Sequence, residues 1–237
     1  MITDCFTLAA YRNLLDNFVT RGYRTTSFHE ADAARPDLVL RHDIDQSLRS
    51  ARAMADLETE NGWRSTWFVL VRTEMYNPFS RASVADLRGL LAAGHEIGLH
   101  LDTTHYCSTD AIQVGAAIEA RMLEDMIGTP IRILSFHRPS PADLDNDAPI
   151  AGRIHTYMSR FTRQMGYCSD SRGAWRHGHP MEHAAVKNGR ALQLLTHAVW
   201  WVGPDGRDAR GRLTDVLIER AAVLEEELAR NNAVWQR

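Results

Sequence analysis

The chain has 237 residues, of which 44% are hydrophobic and 24% are charged, so it is long enough to bury one sizeable core. We therefore expect a single domain spanning residues 1–237. The formal net charge of -3 leaves no broad basic surface, which argues against nucleic acid as a partner. No stretch approaches the roughly 18 apolar residues of a membrane-spanning helix, so we expect no membrane span.

The N-terminal stretch "MITDCFTLAAYRNLLDNF" carries Asp4 early and lacks both a basic leader and an unbroken apolar core. It does not resemble a secretory signal, so we expect a cytoplasmic protein. The three cysteines, Cys5, Cys107 and Cys168, form an odd set without CxxC spacing. This set argues against a disulfide framework and against a zinc ribbon.

In chain order, short apolar runs alternate with longer amphipathic stretches. The predicted strands are residues 37–43, 65–71, 96–101, 131–137, 166–171 and 191–197. The predicted helices are residues 47–60, 80–93, 110–127, 149–165 and 212–230. This alternation indicates an α/β fold with a mostly parallel sheet, either a barrel or a doubly wound sheet.

The last predicted helix, residues 212–230, repeats apolar side chains at helical spacing. These side chains are Leu213, Val216, Leu217, Ala221, Leu224 and Leu228. Such a stripe is typical of a helix that covers the core or forms a dimer face, and the acidic run predicts a solvated side.

Polar side chains able to do chemistry follow five of the predicted strands. They are Asp43 and Asp45, His100 and Asp102, His137 and Arg138, Asp170 and Ser171, and His197. Each alone has an ordinary structural explanation, such as a loop cap or a satisfied core histidine. Because the C-terminal ends of parallel strands form the face where active sites assemble, the joint pattern predicts one site.

The stretch "RHDID", residues 41–45, sorts its side chains by face. Residues two apart on a strand share a face, so we expect Asp43 and Asp45 to enter the site while His42 faces away. A carboxylate and neutral imidazoles bind a divalent metal such as zinc, and a second carboxylate accepts a proton from water. With a histidine to protonate the leaving group, the set predicts metal-assisted hydrolysis of an ester or amide.

Five motifs, "LRHDID", "GHEIGLH", "HRP", "SDSRGAW" and "LLTHAVWW", occur in an order that resembles the polysaccharide deacetylases, the carbohydrate esterase family four group with the NodB-homology domain. The resemblance spans about residues 36–202. It implies a distorted (β/α) barrel of about seven parallel strands. It also implies metal-dependent removal of an N-acetyl or O-acetyl group from a sugar.

The resemblance assigns roles position by position. The catalytic roles fall on Asp43 as general base, Arg138 as the residue that orients it, His197 as general acid and Asp170 as the carboxylate that tunes this histidine. The metal ligands include Asp45 and His100, and the aromatic wall of the acetyl pocket is Trp175.

The third metal ligand stays open at this point. In the family the second motif carries two metal-binding histidines, whereas here the histidine after His100 comes one residue late, at His105. If the segment stays extended, His105 faces away from His100 while Asp102 shares its face. His137 and His105 are therefore equal candidates, ahead of Asp102, for which a loop cap on the following threonine amides is the alternative.

Substrate contacts are predicted in two aromatic stretches. Tyr76 and Asn77 in "MYNPFS" follow the second strand, where an ordinary Asn-Pro turn is the equal alternative. In "VWW", Trp200 and Trp201 are expected at the rim of the site, where sugars stack on aromatic rings, or buried against a helix.

Together these inferences predict a metal-dependent deacetylase, most simply a zinc enzyme, whose substrate is a carbohydrate or sugar precursor. By analogy, a cytoplasmic location favours precursors of a surface polysaccharide such as an O-antigen or capsule. The alternatives are a catalytically silent relative that binds a carbohydrate or a biosynthetic partner, and a hydrolase of a non-sugar amide.

Overall fold

The computed structural model describes residues 6–235. Its strands are β1 (Arg24–Thr25), β2 (Asp37–Ile44), β3 (Ser65–Leu70), β4 (Glu96–Asp102), β5 (Ile133–His137), β6 (Ile154–His155), β7 (Gly166–Ser169) and β8 (Leu192–Thr196). Its helices are α1 (Leu8–Thr20), α2 (Leu48–Glu60), α3 (Arg81–Ala92), α4 (Thr109–Ile127), α5 (Pro141–Asp145), α6 (Ser159–Thr162), α7 (Ala184–Lys187), α8 (Ala198–Trp201) and α9 (Ala209–Asn231). Short 3-10 turns lie at Thr103–His105, Pro180–Glu182 and Ala233–Trp235.

The strands form one curled parallel sheet. Its order is β6-β5-β4-β3-β2-β8-β7, and the short β1 pairs with β2 outside this path. Within residues 6–235 the end strands β6 and β7 share no ladder, but Gln193 on β8 reaches across and donates to the backbone oxygens of Thr156 and Phe161, both at 3.1 Å. The predicted distorted (β/α) barrel of about seven parallel strands is therefore confirmed.

The sheet separates two apolar regions. The central strand β2 is buried along its whole length, as expected for a parallel strand covered on both faces. Val39, Phe68 and Ile133 pack inside the barrel, whereas Leu40 and Trp67 pack with the helices outside it. This alternation sends Arg41 and Asp43 to the inner face.

Three helices that cover the sheet begin at serine caps. The hydroxyl oxygens of Ser47, Ser80 and Ser108 accept the backbone N–H three residues on in α2, α3 and α4. These helices, like α9, lie where the sequence predicts them, with ends that differ by a few residues.

The predicted helix over residues 149–165 is wrong. That stretch contains strand β6 and the four-residue helix α6 instead. Ala151 and Gly152 both have left-handed backbone conformations, with φ of 49° and 73°, which interrupt a helix. Pairing of Ile154 with Ile133 on β5 then replaces helical hydrogen bonds with a sheet ladder.

Some sequence expectations concern single features of the chain. No helix within residues 6–235 combines the length and apolar character needed to cross a membrane. Cys107 and Cys168 are free thiols, and Cys5 lies outside the described residues. Helix α9 buries only Arg212 and Val216, so most of it does not cover the core.

Candidate metal centre and active site

Asp45, His100 and His137 come together at the C-terminal mouth of the barrel. Asp45 Oδ1 lies 3.1 Å from His100 Nε2 and 3.3 Å from His137 Nδ1. One ligand atom from each residue lies within 4.8 Å of the other two. The strands that supply them are not all neighbours, since β3 separates Asp45 from His100, and the inward curl of the sheet closes the distance.

The donor atoms fit a divalent metal ion. Asp45 Oδ1 is buried and accepts no hydrogen bond within the described residues, although two imidazole nitrogens lie near it. The three atoms therefore face a common point rather than satisfying one another. A carboxylate oxygen and two imidazole nitrogens are a typical ligand set for zinc and related ions.

Ser135 lies between Asp43 and His100. Its hydroxyl donates to Asp43 Oδ1 at 3.4 Å, and its oxygen lies 2.6 Å from His100 Nδ1. With the Ser135 hydrogen donated to Asp43, the Ser135 oxygen can accept from His100 Nδ1–H, and this tautomer would leave the lone pair of Nε2 free to bind a metal ion. Such outer partners orient the ligands of metal sites. Sequence reasoning missed Ser135, although its spacing of two from His137 on β5 was the available signal.

Asp43 is held by Arg41, not by Arg138. Arg41 Nε lies 3.0 Å from Asp43 Oδ1, Arg41 Nη2 lies 2.7 Å from Oδ2, and both side chains are buried. Burial by itself raises the pKa of Asp43, but the Arg41 charge and the nearby histidines lower it below the usual value. Asp43 is therefore a carboxylate inside the barrel, 3.7 Å from His100 Nε2.

The predicted role of Arg138 in orienting Asp43 is wrong. Arg138 has a left-handed backbone, with φ of 55°, and its guanidinium pairs with Asp102 at the surface. Arg41 has the shorter path because it precedes Asp43 by two residues on the same face of β2. The motif "RHDID" already contained this signal.

His197 and Asp170 form a second buried pair beside the cluster. His197 Nδ1 lies 2.6 Å from Asp170 Oδ1, and the other carboxylate oxygen accepts from His197 N at 3.0 Å and from Trp201 Nε1 at 2.7 Å. Burial lowers the pKa of His197, but the charge and hydrogen bond of Asp170, with the charges of Asp45 and Asp43, raise it to about 9. His197 Nε2 therefore carries a proton 3.7 Å from Asp45 Oδ2.

The structure brings His137, and not His105, to the cluster. His105 lies on the 3-10 turn after β4 with 41% of its side chain exposed, and its Nε2 is 3.9 Å from Asp102 Oδ2. Asp102 accepts from Thr104 N at 3.0 Å and from Thr104 Oγ1 at 2.6 Å, which is the loop cap weighed in the sequence. The extra residue before His105 thus coincides with a turn that directs His105 away from the cluster.

Three of the five predicted substrate contacts, Tyr76, Asn77 and Trp200, have structural roles or are buried. Tyr76 is buried, and its hydroxyl donates to Ile44 O at 2.7 Å and accepts from Leu70 N at 3.0 Å. Asn77 accepts from Phe79 N at 3.0 Å in an ordinary turn, and Trp200 is buried rather than at the rim.

The fourth predicted contact, Trp175, keeps part of its side chain exposed. Its ring centroid lies 6.0 Å from that of Trp201 and 5.8 Å from that of Phe6. Trp201 itself bonds Asp170, a role that sequence reasoning did not assign to it.

Two grooves reach the residues next to the metal ligands. One, of about 660 Å³, includes Arg138, which follows His137 directly, and is rich in hydroxyl groups. These hydroxyls belong to Thr103, Thr104, Tyr106, Ser108, Thr109 and Ser140. The other, of about 320 Å³, lies between Gln46, Tyr76 and the inner side of α9.

A carboxylate and two histidines thus lie at the mouth of a parallel (β/α) barrel, next to a buried carboxylate and a protonated histidine. No protein-family model matches the chain, and no curated protein matches it. Solved structures similar to it do include proteins of carbohydrate esterase family 4, the family that the motifs resemble.

Three of these structures illustrate the similarity. A family 4 carbohydrate esterase from Bacillus anthracis is 16% identical, with 89% of this chain and 86% of that chain covered and a TM-score of 0.46. The Streptococcus pyogenes deacetylase PplD is 13% identical, with 85% of each chain covered and a TM-score of 0.45. A family 4 pseudoenzyme from Bacillus anthracis is 12% identical, with 79% of this chain covered and a TM-score of 0.43, and the chain spans only 63% of its length.

Proposed function

We propose that this protein is a metal-dependent hydrolase that removes an N- or O-acetyl group from a sugar. The observation that carries the proposal is the arrangement around Asp45, His100 and His137. An ionised carboxylate, Asp43, lies 3.7 Å from His100 Nε2, and a protonated imidazole, His197, lies 3.7 Å from Asp45 Oδ2. A proton acceptor and a proton donor beside one metal site suit general acid–base catalysis of acyl hydrolysis.

A divalent ion held by Asp45, His100 and His137 would supply Lewis acidity. Asp43, oriented by Arg41, accepts a proton from the attacking water. The oxygen of that water bonds to the acyl carbon as the bond to the sugar nitrogen or oxygen breaks. His197 gives its Nε2 proton to the leaving group, and Asp170 stabilises the imidazolium before that transfer.

The products are acetic acid, which loses its proton to solvent to give acetate, and a sugar with a free amine or hydroxyl group. At the end of the reaction Asp43 holds the proton from water and His197 is neutral. Exchange of one proton with solvent restores both, and the 10% exposure of the His197 side chain leaves it a path to water.

Two features support a sugar as the substrate. The motif resemblance implies one, and the groove beside His137 is lined by hydroxyl groups that suit a polyhydroxylated ligand. Zinc as the metal, a cytoplasmic location and a role in the synthesis of an O-antigen or capsule remain predictions from the sequence.

The test combines metal content with acetate release. We would measure bound metal by mass spectrometry in the wild type and in His100→Ala and His137→Ala, with His105→Ala as the matched control. We expect about one equivalent of metal in the wild type and in the control, and a loss in both ligand variants. Acetate release from N- and O-acetylated sugars and sugar nucleotides should follow the same pattern.

Two results would overturn the proposal. One is a wild-type protein that takes up no divalent metal even after reconstitution. The other is a metal-loaded protein that releases no acetate from any substrate in the panel, which would favour the silent carbohydrate-binding alternative.

A further inference from the structure

Most of the exposed large apolar side chains of residues 6–235 lie in one segment, from residue 213 to residue 235. Four leucines of α9 form a stripe, which we call the leucine stripe. They are Leu213, Leu217, Leu224 and Leu228, with exposures of 37%, 62%, 49% and 43%. A contiguous exposed apolar stripe of this kind marks an interaction surface in a soluble protein.

The body of the protein does not cover the leucine stripe. Helix α9 contacts the rest of the chain through Arg212 and Val216, which are buried, and through Glu219 and Val223, which line the groove beside Tyr76. At about 100° per residue, these contact positions lie about 120° around the helix from the leucines.

The second half of α9 also lacks the contacts that normally hold a helix. No residue of α9 after Val216 is buried, in a helix that the structure describes in full. An isolated helix of about 15 residues is marginal in water, and an amphipathic helix gains its stability by packing its apolar face. A partner on the leucine stripe would supply the packing that this part of α9 lacks.

The spacing of the stripe is palindromic. If a two-fold axis passes between Arg220 and Ala221, Leu213 of one copy faces Leu228 of the other, and Leu217 of one copy faces Leu224 of the other. Two copies of α9 crossing at this point in opposite directions place each leucine against a leucine. A self-complementary surface is the requirement for a closed two-fold dimer.

Charge selects the antiparallel direction. Residues 221–231 carry Glu225, Glu226 and Glu227 against Arg230, a net charge of -2, whereas residues 209–220 carry three arginines against Asp215 and Glu219, a net charge of +1. A parallel pair would put the two glutamate runs side by side, which repels. An antiparallel pair moves each run toward the arginine-bearing half of the other helix.

We propose that the protein forms a homodimer through antiparallel pairing of α9 with α9 of a second copy along the leucine stripe. This inference does not depend on the proposed catalytic activity. Pairing would also fix the position of α9 beside the groove that contains Tyr76, since Glu219 and Val223 line that groove about 120° around the same helix from the leucines.

The first test is the molar mass in solution. Sedimentation equilibrium of the full chain should give twice the 26.8 kDa protomer mass. The double variant Leu217→Glu/Leu224→Glu places like charges against each other and should raise the dimer dissociation constant about 100-fold or more. Ile118→Glu is the matched control because Ile118 is 56% exposed in an apolar row on α4, and it should leave the dimer intact.

A second test reports the direction of pairing. Under oxidation, Ala221→Cys lies near the two-fold axis and should cross-link to its copy in the partner. Leu213→Cys should not, because an antiparallel pair separates the two copies of residue 213 by about 22 Å along the helix. Wild type is the control for cross-links through its own cysteines.

Any of three results would overturn the proposal. They are a monomeric wild type at all concentrations, a double variant that stays dimeric while circular dichroism shows a folded protein, and loss of the dimer in Ile118→Glu. Equal cross-linking at positions 213 and 221 would contradict the antiparallel arrangement.

Discussion

The opposite charges of Asp43 and His197 are each stabilised most strongly by one neighbour. Arg41 lies beside Asp43 with two hydrogen bonds, and Asp170 lies beside His197. Both pairs are buried, where Coulomb interactions are stronger than in water. The chemistry of the site is therefore set as much by these partners as by the groups that touch the substrate.

Arg41→Lys should reduce turnover far more than Arg138→Lys. Lysine keeps the positive charge but loses the planar fork that holds both oxygens of Asp43, so the carboxylate is displaced. We expect kcat to fall by about 100-fold with little change in metal content. Arg138→Lys is the matched control and should stay within a few-fold of wild type, and equal losses in the two variants would contradict the assignment of Arg41.

Asp170→Asn should move the alkaline limb of the pH profile to lower pH. His197 must be protonated to act as an acid, and its pKa of about 9 keeps the proton until pH rises through that value. Replacing Asp170 removes the charge that raises this pKa, so the proton is lost at lower pH. The pH dependence of kcat/KM measures the change, with the exposed Asp205→Asn as control, and an unchanged alkaline limb would count against His197 as the acid.

At the scale of elements, a second buried polar cluster lies on the outer face of β2, the strand that carries Asp43. Glu58 on α2 is fully buried and accepts from Tyr11 on α1 at 2.5 Å and from Ser65 on β3 at 2.6 Å. His42 Nε2 on β2 lies 2.8 Å from the same carboxylate. Glu58 thus ties helices α1 and α2 to strands β2 and β3, and Asp45 directly follows β2.

Glu58→Gln should destabilise the fold without touching the site directly. The amide cannot accept at both positions, so it leaves at least one buried partner unsatisfied at a cost of about 1–3 kcal/mol. Chemical denaturation measures the free energy of unfolding, with the exposed Glu60→Gln as the matched control. A stability equal to that of wild type would show that the Glu58 cluster does not hold the strands.

The sequence predicts the helices and strands well where their pattern of apolar residues reflects burial in the core. Strands β2 to β5 and helices α2 to α4 follow from apolar runs and helical periodicity, because both faces of a parallel sheet are covered. The helix predicted over residues 149–165 does not form, because the backbone turns at Ala151 and Gly152 and the following residues pair with β5.

The candidate site was predictable only for residues whose positions follow from alternation along a single strand. Alternation places Asp43 and Asp45 on one face, and it would also have placed Arg41 there. That His137 rather than His105 joins the cluster depends on the pairing of β4 with β5 and on the turn after Asp102. Neither feature can be predicted from the local sequence.

At the scale of the whole molecule, the curl of the sheet creates the centre. Asp45 follows β2, His100 lies on β4 and His137 ends β5, so a flat sheet would hold them apart. Side chains inside the barrel, such as Phe68 against Phe28 and Arg41 over Tyr157, fill the space below and support this curvature.

The central claim is that these three residues hold one metal ion. Anomalous diffraction at the zinc edge from crystals of the zinc-loaded protein tests it most directly. We predict one strong peak about 2.0–2.2 Å from Asp45 Oδ1, His100 Nε2 and His137 Nδ1. A peak bound by His105 instead, or no peak at the barrel mouth, would contradict the account.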